Sequence, residues 1–274
     1  MLQQWILDHP DLFRVASFVI LLLLLACTEW LFPRRKKYGY LSRRWFSNIA
    51  IVVVNVLLLR LIFPLMAVEM AFISIEKGWG LFSYFGFSGG WNFVVSLLIL
   101  DVMIYLQHVM FHAVPTLWRF HKVHHADLDF DVTTGVRFHP IEMILSMGIK
   151  IVTVIAFGMT PLSVLVFEVI LNGTSMFTHT NVYIPLGMDR IFRWFIVTPD
   201  MHRIHHSVDK IERNTNFGFN LSVWDRIFGT YRQDPEMGHT EMPIGIDEFR
   251  QPNYLKFGWL FAIPFLRKNK GTEE

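Results

Sequence analysis

"WNFVVSLLILDVMIYLQHVMFH", residues Trp91 to His112, carries two messages in one stretch. Its 22 residues match the roughly 20 that a membrane-spanning helix needs. Its last turns carry His108 and His112, four residues apart and so on one face of a helix. The reading that follows is a helix that crosses a bilayer and delivers a pair of imidazoles at the membrane surface. Asp101 sits inside the same span, two turns before His108, or about 10 Å along the axis. That is too far for it to share a ligand site with His108, and an intramembrane acid calls for a partner. Arg60 is the candidate partner, the alternative being that Asp101 faces a hydrated cavity.

The whole chain fits a membrane setting. Of its 274 residues, 53% are hydrophobic and 18% charged, with a mean hydropathy of +0.37. Soluble domains are about half apolar and about a quarter charged. A net charge of +2 offers no nucleic-acid surface, so no nucleic-acid partner is expected. Cys27 is the only cysteine, which excludes an intrachain disulfide, a cysteine-ligated iron–sulfur cluster and a CxxC zinc site. Any metal must be held by nitrogen or oxygen.

Before Trp91, "FRVASFVILLLLLACTEWLF" (Phe13 to Phe32) reads as a first span. It is preceded by Asp8 and Asp11 against a single Arg14, not by the basic region of a signal peptide, so cleavage is not expected. The basic run Arg34 to Lys37, with Arg43 and Arg44, places the following loop on the cytoplasmic side. A second apolar stretch, from Trp45 to Ile75 and carrying Arg60, returns the chain to the outside. The interfacial loop "EKGWGLFSYFGFSGGW" leads into the Trp91 span, whose histidines then reach the cytoplasm. Beyond it, Met143 to Phe177 is apolar but broken by "GMTP" (Gly158 to Pro161) into two pieces of about 16 residues, a helical hairpin with both ends on one side. Near the C-terminus, "NYLKFGWLFAIPFL" is short, aromatic and interrupted by Pro264, which suits an interfacial helix. The fold class expected is an all-α integral membrane bundle of three to five transmembrane or re-entrant helices under a cytoplasmic helical cap with a histidine-rich di-metal site. Residues 1–90 form the N-terminal helices, 91–235 the histidine-box catalytic domain, and 236–274 a C-terminal tail.

The cap holds two copies of HxxHH, at His121, His124 and His125 and at His202, His205 and His206. On a helix the first histidine of each aligns with both later ones, so each is a ready chelate. With His108 and His112 this makes eight imidazoles in three boxes, more than one four-coordinate zinc requires, and two ions are the simplest reading. His139 and His179 fall in the same polar region; His9 and His239 lie near the chain ends and read as bland. Imidazole suits iron, zinc, copper and nickel alike. A metal pair beside lipid suits attack on an acyl chain or sterol, and an inert C–H bond favours activated oxygen and iron. A zinc-dependent enzyme acting on lipid without oxygen is the alternative. A metal transporter would spread its ligands through the bilayer rather than gather them at one face.

"HVMFH", "WRFHKVHH", "RFHPIE", "THTNVYIP" and "PDMHRIHHSVDKIERNTNFGFNLSVWDRIFGTY" together resemble the successive signatures of the fatty acid hydroxylase superfamily, in particular its sterol desaturase branch. The resemblance covers residues 90–235. It implies a membrane-bound oxygenase with two iron ions, zinc being possible as purified, that hydroxylates or desaturates a membrane lipid with O2. It implies metal ligation by His108, His112, His121, His124, His125, His202, His205 and His206. His179 falls where relatives place a further ligand, often paired with a second histidine four residues on; here that position is Tyr183. His139 matches a position of support or ligation. Asn216, Trp224 and Asp225 match positions that the family tends to keep, and Asp225 is expected to accept the free ring N–H of a ligand histidine. With no GxGxxG, no cysteine cluster and no haem-binding signature, electrons must come from another protein: a reductase, a ferredoxin or a small haem protein.

Overall fold

Proline decides where the principal helices begin. Pro10, Pro115, Pro140, Pro161 and Pro199 each open a helix, where the missing N–H has no partner to lose and the fixed φ is already helical. The computed structural model describes residues 2–37 and 39–266, which contain helices and three isolated β-bridges but no strand. In order, α1 (Leu2–Asp8) and α2 (Pro10–Leu31) lead to α3 (Leu41–Ile62), α4 (Ala67–Glu76) and α5 (Leu81–Tyr84). Next come α6 (Gly89–Ala113), α7 (Pro115–His125), α8 (Pro140–Phe157) and α9 (Pro161–Thr178). Short helices complete the chain: α10 (Leu186–Phe192), α11 (Pro199–His205), α12 (Lys210–Arg213), α13 (Val223–Ile227), α14 (Gly238–Glu241) and α15 (Phe257–Ala262).

Among the described residues, five segments are long and apolar enough to cross a membrane: α2, the α3–α5 segment, α6, α8 and α9. The stretch expected as one span from Trp45 to Ile75 is instead broken after Ile62, around Pro64, because proline cannot continue the hydrogen-bond ladder. The hairpin forms as its sequence suggests. Gly158 ends α8 in the left-handed region at φ 70°, and Thr160 caps α9 by accepting from the Ser163 N–H. Each arm has 18 residues, about 27 Å of rise, somewhat longer than the sequence suggests. α2 packs along α9, α4 along α8 and α9, and α6 against α7 and α9, around a core that includes Val68, Leu100, Val154, Leu165 and Phe167.

Below this bundle, the polar segment joining α7 to α8 is held by a buried cation. Arg44 of α3 is 1% exposed and donates to both oxygens of Asp127, at 2.6 and 2.9 Å, and to Asp131 at 2.6 Å. Asn48, one turn on, donates to Thr133 at 3.0 Å and accepts from Arg137 at 3.2 Å. Burial alone would raise the Asp127 carboxyl, but the Arg44 and Arg137 guanidiniums hold it well below the usual carboxylate range. From α2, Glu29 accepts the backbone N–H groups of Val132 and Asn181, at 3.0 and 3.1 Å. Arg44, counted in the sequence among the basic residues of an exposed loop, is thus an interior strut. At the other end of the chain, α15 lies against α3, with Leu260 and Ile263 fully buried beside Ile51 and Val123. The C-terminal aromatic segment is therefore part of the packed cap.

The pairing expected between Asp101 and Arg60 does not form. Arg60 lies near the far end of α3 and meets Asp11 at 2.7 Å. Asp101 instead faces the segment after α12, accepting from Asn220 Nδ2 at 2.8 Å, Leu221 N at 3.2 Å and the Trp224 indole at 2.8 Å. The acid fastens the C-terminal part of the cap to α6.

Arg44→Met removes the guanidinium that bonds both Asp127 and Asp131 and leaves these buried acids with Arg137 alone nearby, and thermal unfolding in detergent should show a loss of about 3–5 kcal/mol. Asp101→Asn weakens three hydrogen bonds without emptying space and should cost about 1–3 kcal/mol by the same measurement. Metal bound per folded molecule should be unchanged in Asp101→Asn, because Asp101 belongs to the tether and not to the histidine cluster.

Candidate metal centre

Nine histidines from four segments converge in the cap and divide into two groups, one of five and one of four. His108, His112, His121, His125 and His205 form the first; His124, His179, His202 and His206 form the second. Within each group one ring nitrogen per residue lies within 4.8 Å of the others. All nine side chains are buried except that of His112, which is partly so.

The division cuts through each HxxHH. The first and last histidines of a motif, four residues apart, share a group, while the middle one goes to the other: His121 and His125 against His124, and His202 and His206 against His205. Helical geometry explains this. At 3.6 residues per turn, positions i and i+4 diverge by about 40°, whereas i+3 and i+4 diverge by about 100°. Each motif is therefore not one chelate but a bridge across both groups, and the two motifs run in opposite senses.

Second partners fix the direction of the rings. His108 Nδ1 donates to the Phe217 carbonyl at 2.7 Å, His205 Nδ1 to the Thr215 carbonyl at 2.8 Å and His179 Nδ1 to the Ser175 carbonyl at 2.6 Å. His121 Nδ1 donates to Glu142 Oε1 at 2.6 Å, and His112 Nδ1 faces Asn214 Oδ1 at 3.3 Å. A neutral imidazole has one N–H, so a ring whose Nδ1 donates to a carbonyl or carboxylate turns a bare lone pair outward at Nε2. His108 and His121 do this toward each other, with their Nε2 atoms 3.1 Å apart. His179 Nε2 lies 3.1 Å from His124 Nε2 and 3.0 Å from His206 Nε2. Among the described residues, both ring nitrogens of His125 and of His202 have no hydrogen-bond partner, nor has Nε2 of His112 or His205.

Burial pushes His124, His125, His202, His205 and His206 well below the ordinary imidazole range, with neighbouring imidazoles adding to the shift. His179 is pushed down to about 4, also by burial. These rings are neutral near pH 7, the form in which imidazole binds metal. Converging lone pairs at about 3 Å fit shared cations, since two donors at roughly 2.1 Å from one ion stand no more than about 4.2 Å apart. The donor set fits a metal in each group.

The other candidates occupy supporting places. His139 belongs to neither group: it is the N-cap of α8, its Nδ1 accepting from the Ile141 N–H at 3.2 Å. Asn216, at φ 53°, donates to the carbonyls of Met201 and Arg232, both at 2.9 Å, and so ties α11 to the chain beyond. Trp224 serves the Asp101 tether. Asp225 does not accept from a histidine; it takes the N–H groups of Phe217 and Gly218, at 2.7 and 2.9 Å, and the Thr230 hydroxyl. It thereby holds the loop whose Phe217 carbonyl receives His108. The carboxylate contact to an imidazole belongs instead to Glu142, the acid of "RFHPIE". Its signal was present as an acid in the first turn of a helix that opens beside a histidine box. His9 and His239 lie outside both groups, as expected.

A cavity of about 520 Å³ runs between α2, α3, α6, α8 and α9 and ends against the back of this cluster. Phe138 and Phe219 line that end. Phe138 stacks on His124 with ring centroids 4.6 Å apart, and Phe219 lies 4.9 Å from His108 and 6.2 Å from His202, touching both groups.

Residues 93–230 match the family model described as fatty acid hydroxylase. The chain is 33% identical over 179 residues to an ornithine lipid hydroxylase of Rhizobium tropici, across 65% of this chain and 51% of that protein. It is 31% identical over 147 residues to an alkylglycerol monooxygenase of Xenopus tropicalis, across 53% and 32%. It is 30% identical over 147 residues to a human cholesterol 25-hydroxylase, across 52% and 51%. The matches thus span about a third to a half of these relatives' lengths. No solved structure matches the chain significantly. The family match covers the three histidine boxes and the segment that supports them, and the chain belongs to the fatty acid hydroxylase family.

Proposed function

We propose that this chain binds two iron ions through the nine grouped histidines and uses O2 and externally supplied electrons to hydroxylate or desaturate a C–H bond of a membrane lipid. The observation that carries the reading is the pair of Nε2 atoms of His108 and His121, 3.1 Å apart with both Nδ1 protons committed elsewhere. Two lone pairs at that distance repel unless a cation lies between them. Iron supplies the oxygen activation that an inert C–H bond demands. Relatives named as lipid hydroxylases and monooxygenases support the same class of reaction.

The chain's own residues then have definite tasks. Glu142 holds the His121 proton on Nδ1, keeping Nε2 available and the ring aligned. The Phe217, Thr215 and Ser175 carbonyls do the same for His108, His205 and His179. Phe138, Phe219 and Glu142 close the end of the cavity beside the histidines, so an apolar chain lying in it would present its C–H bonds near both groups. The reading places residues 91–235 as the catalytic region and the basic loop Arg34 to Lys37, with the histidine cap, on the cytoplasmic side. A reductase, ferredoxin or small haem protein would deliver electrons to that face.

Elemental analysis of detergent-purified protein should find about two iron ions per chain, fewer in His205→Ala, with lipid-dependent O2 consumption once an electron donor is added. Stoichiometric zinc that survives anaerobic purification with iron supplementation, together with turnover that consumes no O2, would overturn the assignment. Glu142→Gln should weaken metal binding by about 10–100-fold, because the amide releases its hold on the His121 ring. A chelator competition series on the two proteins measures that ratio.

A further inference from the structure

Residues 186–196 and 220–228 join in one lobe beside α6 and α9. Ile196 bridges Leu221, Val197 N donates to the Asn220 carbonyl at 3.0 Å, and the Ser222 hydroxyl donates to the Arg193 carbonyl at 2.7 Å. The lobe turns most of its charge inward and its apolar residues outward. Of the three charged residues in 186–196, Asp189 and Arg193 are buried and paired at 2.6 Å, and only Arg190 is exposed. Ile191, Trp194, Phe195 and Ile227 are between 62 and 68% exposed, and the Arg226 guanidinium lies over the Trp194 ring at 4.2 Å. A surface facing water has the opposite pattern.

The depth of the lobe follows from what it touches. α8 and α9 have 18 residues each, about 27 Å of rise, against a hydrocarbon core of about 30 Å. Helices with no length to spare put their cap-side ends, Pro140 and Thr178, at the edge of that core. Asn220 reaches past this edge: it accepts from the Thr174 hydroxyl, about 6 Å short of Thr178 along α9, and donates to Asp101, about 10 Å short of His108 along α6. Leu221 and Trp224 bond to Asp101 as well, and Phe228 stacks on Tyr105 of α6 with ring centroids 5.2 Å apart. The patch also continues the end of α2, where Trp30, Leu31 and Phe32 are exposed and the Phe32 carbonyl accepts from Tyr183 N. An exposed apolar patch of this extent marks a membrane or protein contact, and its depth assigns the membrane.

We propose that this lobe is immersed in the lipid leaflet nearest the histidine groups, with acyl chains covering the outer face made by Ile191, Trp194, Phe195, Ile227 and Phe228. The inference rests on α8 and α9 spanning the bilayer. Immersion gives the inverted pattern a cause, and it gives the Asp101 tether one too: the acid meets the buried polar groups of a segment that has left water. It also holds the loop 217–221, which supplies the Phe217 carbonyl to His108 and carries Phe219, at the depth of the acyl chains.

The test uses the full-length protein in phosphatidylcholine nanodiscs, with Cys27, the single cysteine, replaced by serine. Ile191→Cys, Phe195→Cys and Ile227→Cys, made separately, each carry a nitroxide label, and electron paramagnetic resonance compares its collisions with O2, which concentrates among acyl chains, and with chromium oxalate, which stays in water. Val152→Cys, at an exposed position well inside α8, and Lys210→Cys, at an exposed position on α12, supply the lipid and water references. The three lobe labels should match the O2-to-oxalate ratio of Val152→Cys and exceed that of Lys210→Cys several-fold. Lipid-like ratios at fewer than two of the three positions overturn the proposal: frequent oxalate collision puts the face in water, and weak collision with either reagent puts it against protein, such as a second copy of this chain. A water-like ratio at Val152→Cys would overturn the spanning of α8 and the immersion of the lobe together, whereas a lipid-like ratio there with water-like lobe labels overturns this inference alone.

Discussion

The cap answers one electrostatic demand: nine imidazoles, eight of them buried and His112 partly so, must point lone pairs at one another without flying apart. Burial keeps the rings neutral, so proton charge does not add to the repulsion. It also removes the water that would otherwise satisfy their nitrogens. Carbonyls of Phe217, Thr215 and Ser175 and the carboxylate of Glu142 fix four of the rings from behind. What remains in front is a set of unshared electron pairs of the kind that holds a metal ion. The bipartite use of each HxxHH makes the two groups interdependent, since moving α7 or α11 disturbs both at once.

Rings so arranged require a rigid mount, and the mount is ionic as well as apolar. The 126–139 segment runs directly from the first HxxHH, and its acids Asp127 and Asp131 are held on Arg44. The second HxxHH has its own strut: Asp200 is bonded to Arg34 at 3.0 Å and to Arg203. Asp101 and Asp225 then secure the loop that supplies the Phe217 carbonyl. Buried ion pairs of this kind contribute little net stability compared with apolar packing, but breaking one is costly, which suits elements that must hold one geometry.

The sequence was most legible where periodicity and motif agreed. The spans follow from apolar length, the hairpin from Gly158 and Pro161, and the three boxes from histidine spacing. Which group each histidine joins was not legible, because i+3 and i+4 both count as the same face until a second helix shows which side of that face it occupies. The partners of buried polar groups were harder still. For Asp101 the sequence offers Arg60 as the nearest intramembrane cation, yet its partners come from residues more than a hundred positions away, Asn220 and Trp224. Glu142, and not Asp225, stands behind an imidazole, since no local pattern says which acid a fold will bring behind a given ring.

The unequal size of the two groups has its cause in the backbone after α9 rather than in a missing histidine. His179 is the C-cap residue of α9 and swings inward as the helix ends. From there the chain leaves the cluster: the Tyr183 N–H donates to the Phe32 carbonyl at 2.7 Å, Arg34 N donates to Asn181 O at 2.7 Å, and Pro33 bridges Val182. These contacts draw residues 181–183 toward the loop after α2, where the Tyr183 ring is 47% exposed and lies under the Arg34 guanidinium at 5.4 Å. A histidine at 183 on this backbone would stand outside the second group. That group closes instead through His202 and His206, one turn apart on the end of α11, together with His124 contributed across from α7. Four donors here and five in the first group are thus a property of how α9 terminates and of where its continuation is tied.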